Sequence, residues 1–204
     1  MAATPSDRLA PCQIDKPLPD LDSEDGGGGG GGDYNIWYHA KPGKRKRRAP
    51  ERGVAARTRC VPDLHEGRTK AGSASDICLF FARGCCHLGF RCNRRHRLPT
   101  HEVELALDVQ RDCFGRAREA TEGDDQNGPG SVLKENTTLF VGNCGAESTE
   151  AGLRAAFAPF GPIAQVRFQP AKSLGFVQFR WRASAEFAKE AMSQQVDGGD
   201  ASFF

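Results

Sequence analysis

Cys78, Cys86, Cys92 and His96 follow one another as Cys-x7-Cys-x5-Cys-x3-His, a pattern able to hold a metal ion. Thiolate and imidazole are the donors of a tetrahedral zinc site, and a structural site closes with four of them and no open position. Three cysteines and one histidine supply that number. The short last spacer lets Cys92 and His96 reach one ion from a single turn. Cys85 offers a second register, with six residues between it and Cys78 and six before Cys92. The Cys86 register is preferred, and one structural Zn²⁺ per chain is expected through Cys78, Cys86, Cys92 and His96 rather than a set of free or redox thiols. His87 is then a spare on the surface.

The x7-x5-x3 spacing resembles that of the CCCH zinc fingers. The same stretch carries Arg91, Arg94, Arg95 and Arg97, interleaved with Phe80, Phe81 and Phe90. A segment this short has almost no core, so metal binding must supply its folding energy. Guanidinium groups and exposed rings on such a frame suit single-stranded RNA, through phosphate contact and base stacking. Phe90, Arg91, Arg94 and Arg95 are the candidate contacts. Phe80 and Phe81 divide evenly between RNA contact and packing of the finger.

A second constellation lies further on. Leu139-Phe140-Val141-Gly142-Asn143-Cys144 resembles the hexamer of an RNA recognition motif (RRM). Lys172-Ser173-Leu174-Gly175-Phe176-Val177-Gln178-Phe179 resembles its octamer, K/R-G-F/Y-G/A-F-V-x-F/Y. Side chains alternate across a strand, so Leu139, Val141, Val177 and Phe179 belong to a core and Phe140 and Phe176 to an open face where a base can stack. Lys172 would meet a phosphate. Ser173 stands where the octamer has glycine. Leu174 stands where it has an aromatic, so Leu174 offers apolar contact without a π-stack. The other reading of this face is a protein-binding surface.

These residues need elements to position them. Thr100 can cap a short helix at about 101–110. Leu139 and Val141 mark a strand; Leu153, Ala156, Phe157 and Phe160 have helical spacing, ended by Gly161-Pro162. Val166 and Phe168 mark a second strand and residues 174–179 a third. Ser184 is the expected cap of a helix carrying Phe187, Ala188, Ala191 and Met192. The fold class is therefore α+β: a small zinc-stabilised module followed by a ferredoxin-like β-α-β-β-α unit that lacks a normal fourth strand. Gly198-Gly199-Asp200 reads as a turn, and Ala201–Phe204 is too short for an ordinary edge strand. The chain divides into a disordered Gly- and acid-rich tail at 1–33, a region at 34–120 containing the finger at 77–97, a linker at 121–136 and the sheet unit at 137–204.

Composition agrees with that division. Residues 1–33 hold seven acids, four prolines and the run Gly26–Gly32, too little apolar surface to repay the entropy of ordering. Residues 41–59 hold nine Lys or Arg against Glu51 alone, densest at Lys44–Arg48; such a block is a nuclear signal, an RNA arm or a solvated tail. No apolar run is long enough for a transmembrane helix, and no membrane partner or small-molecule substrate is expected. Eight cysteines without a secretory signal read as thiols or ligands rather than disulfides. No Ser-His-Asp order, phosphate loop or carboxylate pair stands out, so no enzyme is expected.

Five segments narrow the family: Asn35–His39, Thr58–Cys60, Ile77–Gly84, Asp112–Arg116 and Ala185–Met192. In this order, around such a finger, they resemble the spliceosomal pre-mRNA splicing factor of the NineTeen complex that joins a torus domain, a CCCH finger and an RRM. The resemblance covers about residues 34–195 and makes 34–120 a torus region. It implies a nuclear, non-enzymatic protein that contacts U6 snRNA and the intron near the 5′ splice site and links the catalytic RNA to the protein scaffold. It matches Cys78, Cys86, Cys92 and His96 to zinc, Phe140 and Phe176 to base stacking, and Trp37 and Tyr38 to an aromatic torus segment that packs or meets RNA. Cys60 and Cys113 are expected to be buried thiols. The alternatives are a cytoplasmic CCCH-type mRNA regulator and a protein-interaction scaffold with a degenerate RRM.

Overall fold

Alternation of apolar and polar residues builds a three-stranded sheet. In the computed structural model its strands are β1 (Thr138–Val141), β2 (Ile163–Gln169) and β3 (Leu174–Phe179), antiparallel in the order β1-β3-β2. The described residues are 8–15, 59–73, 75–118, 129–133, 135–142, 144–145 and 147–193, with the backbone of two short strands at 196–197 and 201–202. Ahead of the sheet stand three short helices, α1 (Pro62–His65), α2 (Leu79–Ala82) and α3 (His101–Ala106); α4 (Glu150–Phe157) follows β1, and α5 (Arg182–Met192) follows β3. This is the expected β-α-β-β-α order.

Leu139 pairs with Val177 and faces the core; Phe140 pairs with Phe176 on the opposite face. Helix α4 lies so close to β3 that a Cβ on Gly175 would come 2.7 Å from Leu153 Cδ1, which explains the small residue inside this strand. Ser173, where the octamer has glycine, is left-handed at φ 52°, a conformation that costs a non-glycine residue about 1–2 kcal/mol.

Some boundaries differ from the sequence reading. Helix α3 has its Thr100 cap, the hydroxyl accepting from the Val103 N–H at 3.4 Å, but ends at Ala106 rather than near 110. There Asp108 turns its carboxylate onto the Gln110 N–H, a local bond that competes with helix. Ser184 does not cap α5. The helix starts three residues earlier, at Arg182, because the Glu104 carboxylate from α3 accepts from the Arg182 and Ala183 N–H groups, both at 2.8 Å.

Within the stretch expected to be a disordered tail, eight residues are described. Residues 8–15 lie on the finger: Leu9 bridges Arg68 and Ala10 is buried. The linker also ends sooner than 136, since Ser131 is buried and its carbonyl accepts from Arg182 Nη2 at 2.9 Å. Beyond α5, β4 (Val196–Asp197) and β5 (Ala201–Ser202) pair with each other. The outer edge of β1 pairs with no described strand.

The two modules share one core, because α5 is covered on both sides. Nearly every α5 residue is buried, acids included. Phe187, fully buried, meets Phe160 of the sheet unit at 6.0 Å and Phe81 and Phe114 of the finger module at 5.7 and 6.2 Å between ring centroids. Beside it, Glu190 pairs with Arg83 and Arg116, and Glu186 with Arg118 and Arg182, at 2.6 to 3.1 Å. Among the described residues no helix is long and apolar enough to cross a membrane.

Candidate metal centre and RNA face

The finger folds around four buried side chains. The donor atoms of Cys78, Cys86, Cys92 and His96 all lie within 4.8 Å of one another. Cys78 precedes α2 and its Sγ accepts from the Phe81 N–H at 3.4 Å, while Cys92 Sγ accepts from the Arg94 N–H at the same distance. His96 stacks on Phe81 with centroids 4.9 Å apart and planes at 10°. Both its ring nitrogens are buried without a hydrogen-bond partner. A buried imidazole normally finds one; a metal ion here would take one nitrogen and close a tetrahedral Cys3His set. The donors fit such an ion.

The electrostatics agree. The Cys78 thiol is driven far above its ordinary range by its hydrogen bonds with Cys86 and Cys92, and by burial. Cys92 is held low by the hydrogen bonds that Cys78 and Cys86 make to it. Three crowded sulfurs thus share protons that a cation would displace. Cys85, outside the cluster, is pushed up to about 11 by burial and stays a thiol. Burial also lifts Cys60 to about 12 and raises Cys113, as expected of buried thiols.

The open face of the sheet carries Phe140, 49 % exposed, and Phe176, their rings edge-on with centroids 5.7 Å apart. Arg167 is the β2 neighbour of Phe176. Leu174 is half-buried on the same face and Lys172 is exposed in the turn before β3. Beside Phe176 a hollow of about 280 Å³ is lined by Thr138, Gln165, Arg167, Gln169 and Gln178. Sequence reading missed this polar rim, although period two on β2, with Val166 and Phe168 inward, already sets Gln165, Arg167 and Gln169 outward.

On the finger, Phe90 is 46 % exposed and Arg91 is exposed. Arg94 is exposed as well, and Arg95 is half-buried. Arg94 Nη1 donates to the Phe114 carbonyl at 2.7 Å, and Arg95 bridges Ile77 with its Nε buried. Both tie the finger together. Phe81 is fully buried and Phe80 packs against the core, which decides their role in favour of packing. Trp37, Tyr38 and Lys44–Arg48 lie outside the described residues.

A Torus domain family model matches residues 6–116, more than half of the chain. The chain belongs to the Torus domain family. The match begins ahead of the finger and takes in the residues 8–15 that lie on it. An RNA recognition motif model matches residues 139–201, the sheet unit. The Torus-family chain is similar to "Pre-mRNA-splicing factor cwc2" of Dictyostelium discoideum, 41 % identical over 172 residues, covering 82 % of this chain and 32 % of that one. It is 38 % identical over 183 residues to "Pre-mRNA-splicing factor CWC2" of Saccharomyces cerevisiae, covering 80 % and 51 %. It is likewise 38 % identical over 165 residues to "Pre-mRNA-splicing factor cwf2" of Schizosaccharomyces pombe, covering 79 % and 42 %. The chain spans about a third to a half of the length of these relatives.

Proposed function

We propose that this chain is an RNA-binding pre-mRNA splicing factor that acts by binding rather than catalysis. The observation that carries the reading is the Phe140–Phe176 pair, the first ring exposed and the second half-buried, side by side on the open face of a sheet whose other face is packed into the core. Unpaired bases stack on such rings. Lys172 and Arg167 supply the phosphate contacts, and Leu174 adds an apolar edge. Phe90 and Arg91 form a second contact on the finger, held by one structural Zn²⁺ in the Cys78, Cys86, Cys92 and His96 cluster. Trp37 and Tyr38 belong to the chain ahead of it. The similarity to pre-mRNA splicing factors supports a nuclear site of action on pre-mRNA; with it we propose U6 snRNA and the intron near the 5′ splice site as the RNA, and NineTeen-complex proteins as partners.

Fluorescence anisotropy with labelled single-stranded RNA tests this. Phe140→Ala and Phe176→Ala should each weaken binding by about 1–3 kcal/mol, with the melting temperature nearly unchanged since each ring stands on the open face. Affinity should fall as salt rises, in proportion to the phosphates neutralised. RNA affinity unmoved by both substitutions would favour the protein-scaffold reading, for which Leu174 in place of an aromatic is the supporting observation.

A further inference from the structure

Residues 8–15 cross the finger, bond the backbone of Cys86, and lie against the glycines that are hydrogen-bonded to Cys92 and His96. At one end the Arg8 guanidinium donates to the carbonyls of Asp63 and Glu66 at 2.8 to 3.2 Å. The Arg8 carbonyl accepts from Arg68 N–H at 2.7 Å and Ala10 N–H donates to the Arg68 carbonyl at 3.0 Å. Ala10 runs directly over Gly67, where a Cβ would stand 2.5 Å from the Ala10 nitrogen. Gly67 in turn donates to the His96 carbonyl at 3.1 Å. In the middle, Ala10 and Cys12 cross Gly89, where a Cβ would stand 2.9 Å from each backbone; the Cys92 N–H donates to the Gly89 carbonyl. At the far end Gln13 is clamped on Cys86. Its N–H donates to the Cys86 carbonyl and its Oε1 accepts from the Cys86 N–H, both at 2.9 Å, while Nε2 donates to the Phe81 carbonyl at 3.1 Å. The ring of Phe81 is the one that stacks on His96.

We propose that Arg8–Asp15 is a latch on the metal centre, with Gln13 as its positioning residue. The inference rests on reading the cluster as a metal site. Loss of an ion requires the Cys86 and Cys92 loops to open away from His96. The latch opposes that opening by bonding to the Cys86 backbone and lying against the glycines that join it to Cys92 and His96. Outer partners that orient ligands in this way typically change metal affinity by about 10–100-fold when removed.

The test uses the full zinc-loaded chain. Zinc content is measured first, then the rate of zinc transfer to a chromogenic chelator. Gln13→Ala should speed transfer by about tenfold or more, with an unchanged far-ultraviolet spectrum. Gly67→Ala, whose new methyl lifts the strap at its other end, should act in the same direction. Leu9→Ser, at a side chain 52 % exposed, should not. In cobalt-loaded protein the ligand-field bands of Gln13→Ala should keep their positions, since all four donors remain. Transfer within twofold of wild type in both Gln13→Ala and Gly67→Ala would overturn the latch while leaving the metal reading intact. A purified wild-type chain without metal, and unable to take it up, would overturn both.

Discussion

Cys86→Ser is expected to abolish metal binding, while Cys85→Ser keeps one ion per chain. The two cysteines are adjacent, and the backbone points only one into the cluster. Cys86 is buried with its sulfur among those of Cys78 and Cys92 and the ring of His96. Cys85 lies outside that group, and burial holds its thiol protonated at about 11. Local structure in the finger is slight: α1 and α2 are four residues each, and the connections are turns and isolated bridges, so the ion and the packing against α5 hold it. Structural zinc supplies about 10–16 kcal/mol in small fingers, as much as the whole stability of a typical domain. Cys86→Ser should therefore lose the order of the finger together with the ion. Native mass spectrometry counts the metal and amide exchange at Leu79–Arg83 reads the order. Zinc kept by Cys86→Ser and lost by Cys85→Ser would reverse the register. Affinity should also fall as pH is lowered, because the thiols must shed protons to bind.

What the sequence made legible is what depends on short separations. The Cys-x7-Cys-x5-Cys-x3-His spacing closes within one short segment, so pattern and donor chemistry suffice to find it. The stacking pair follows from period two, because the residues flanking Phe140 and Phe176 are those that must face the core. What stayed hidden depends on distant partners. Residues 8–15 sit in a stretch that is acid- and glycine-rich on average, and their order comes from hydrogen bonds to Arg68, Phe81 and Cys86, which composition does not register. The cap of α5 is Glu104, 78 residues before Arg182, so the nearest local candidate, Ser184, was the natural but mistaken choice. Arg94 is exposed, and the hydrogen bond that one of its guanidinium nitrogens makes to the Phe114 carbonyl, 20 residues on, is not readable from local spacing. The burial of α5 against both modules, which joins them across the expected linker, also depends on partners far apart in the chain.

That shared core sets the second large expectation. Phe187→Ala should destabilise both modules together, by about 3–5 kcal/mol as for other fully buried phenylalanines, and should speed the loss of metal. The ring links His96 to the sheet unit through Phe81, and touches Phe160 on its other side. A cavity there loosens the wall behind the imidazole as well as the seat of α5. The ion pairs around the ring make the same coupling electrostatic. Burial alone would raise the Glu190 carboxyl, but Arg83 and Arg116 outweigh it and hold it below 4.5. Glu186 shifts the other way, because burial outweighs the attraction of Arg118 and Asp112 stands nearby. A depressed carboxyl contributes stability above its unfolded value and loses it as pH falls through the folded one; a raised carboxyl does the reverse. Glu190→Gln should therefore cost most near neutral pH, where it removes the buried anion that Arg83 and Arg116 share, Arg116 keeping its pair with Asp112. The gap to wild type should narrow as pH drops through the carboxylate range. Melting curves followed at once by near-ultraviolet dichroism and by metal release decide the matter. One coincident transition, moved down by Phe187→Ala and by Glu190→Gln, is the result of a single body. Two separate transitions, with only the sheet unit responding, would show that the finger folds without α5.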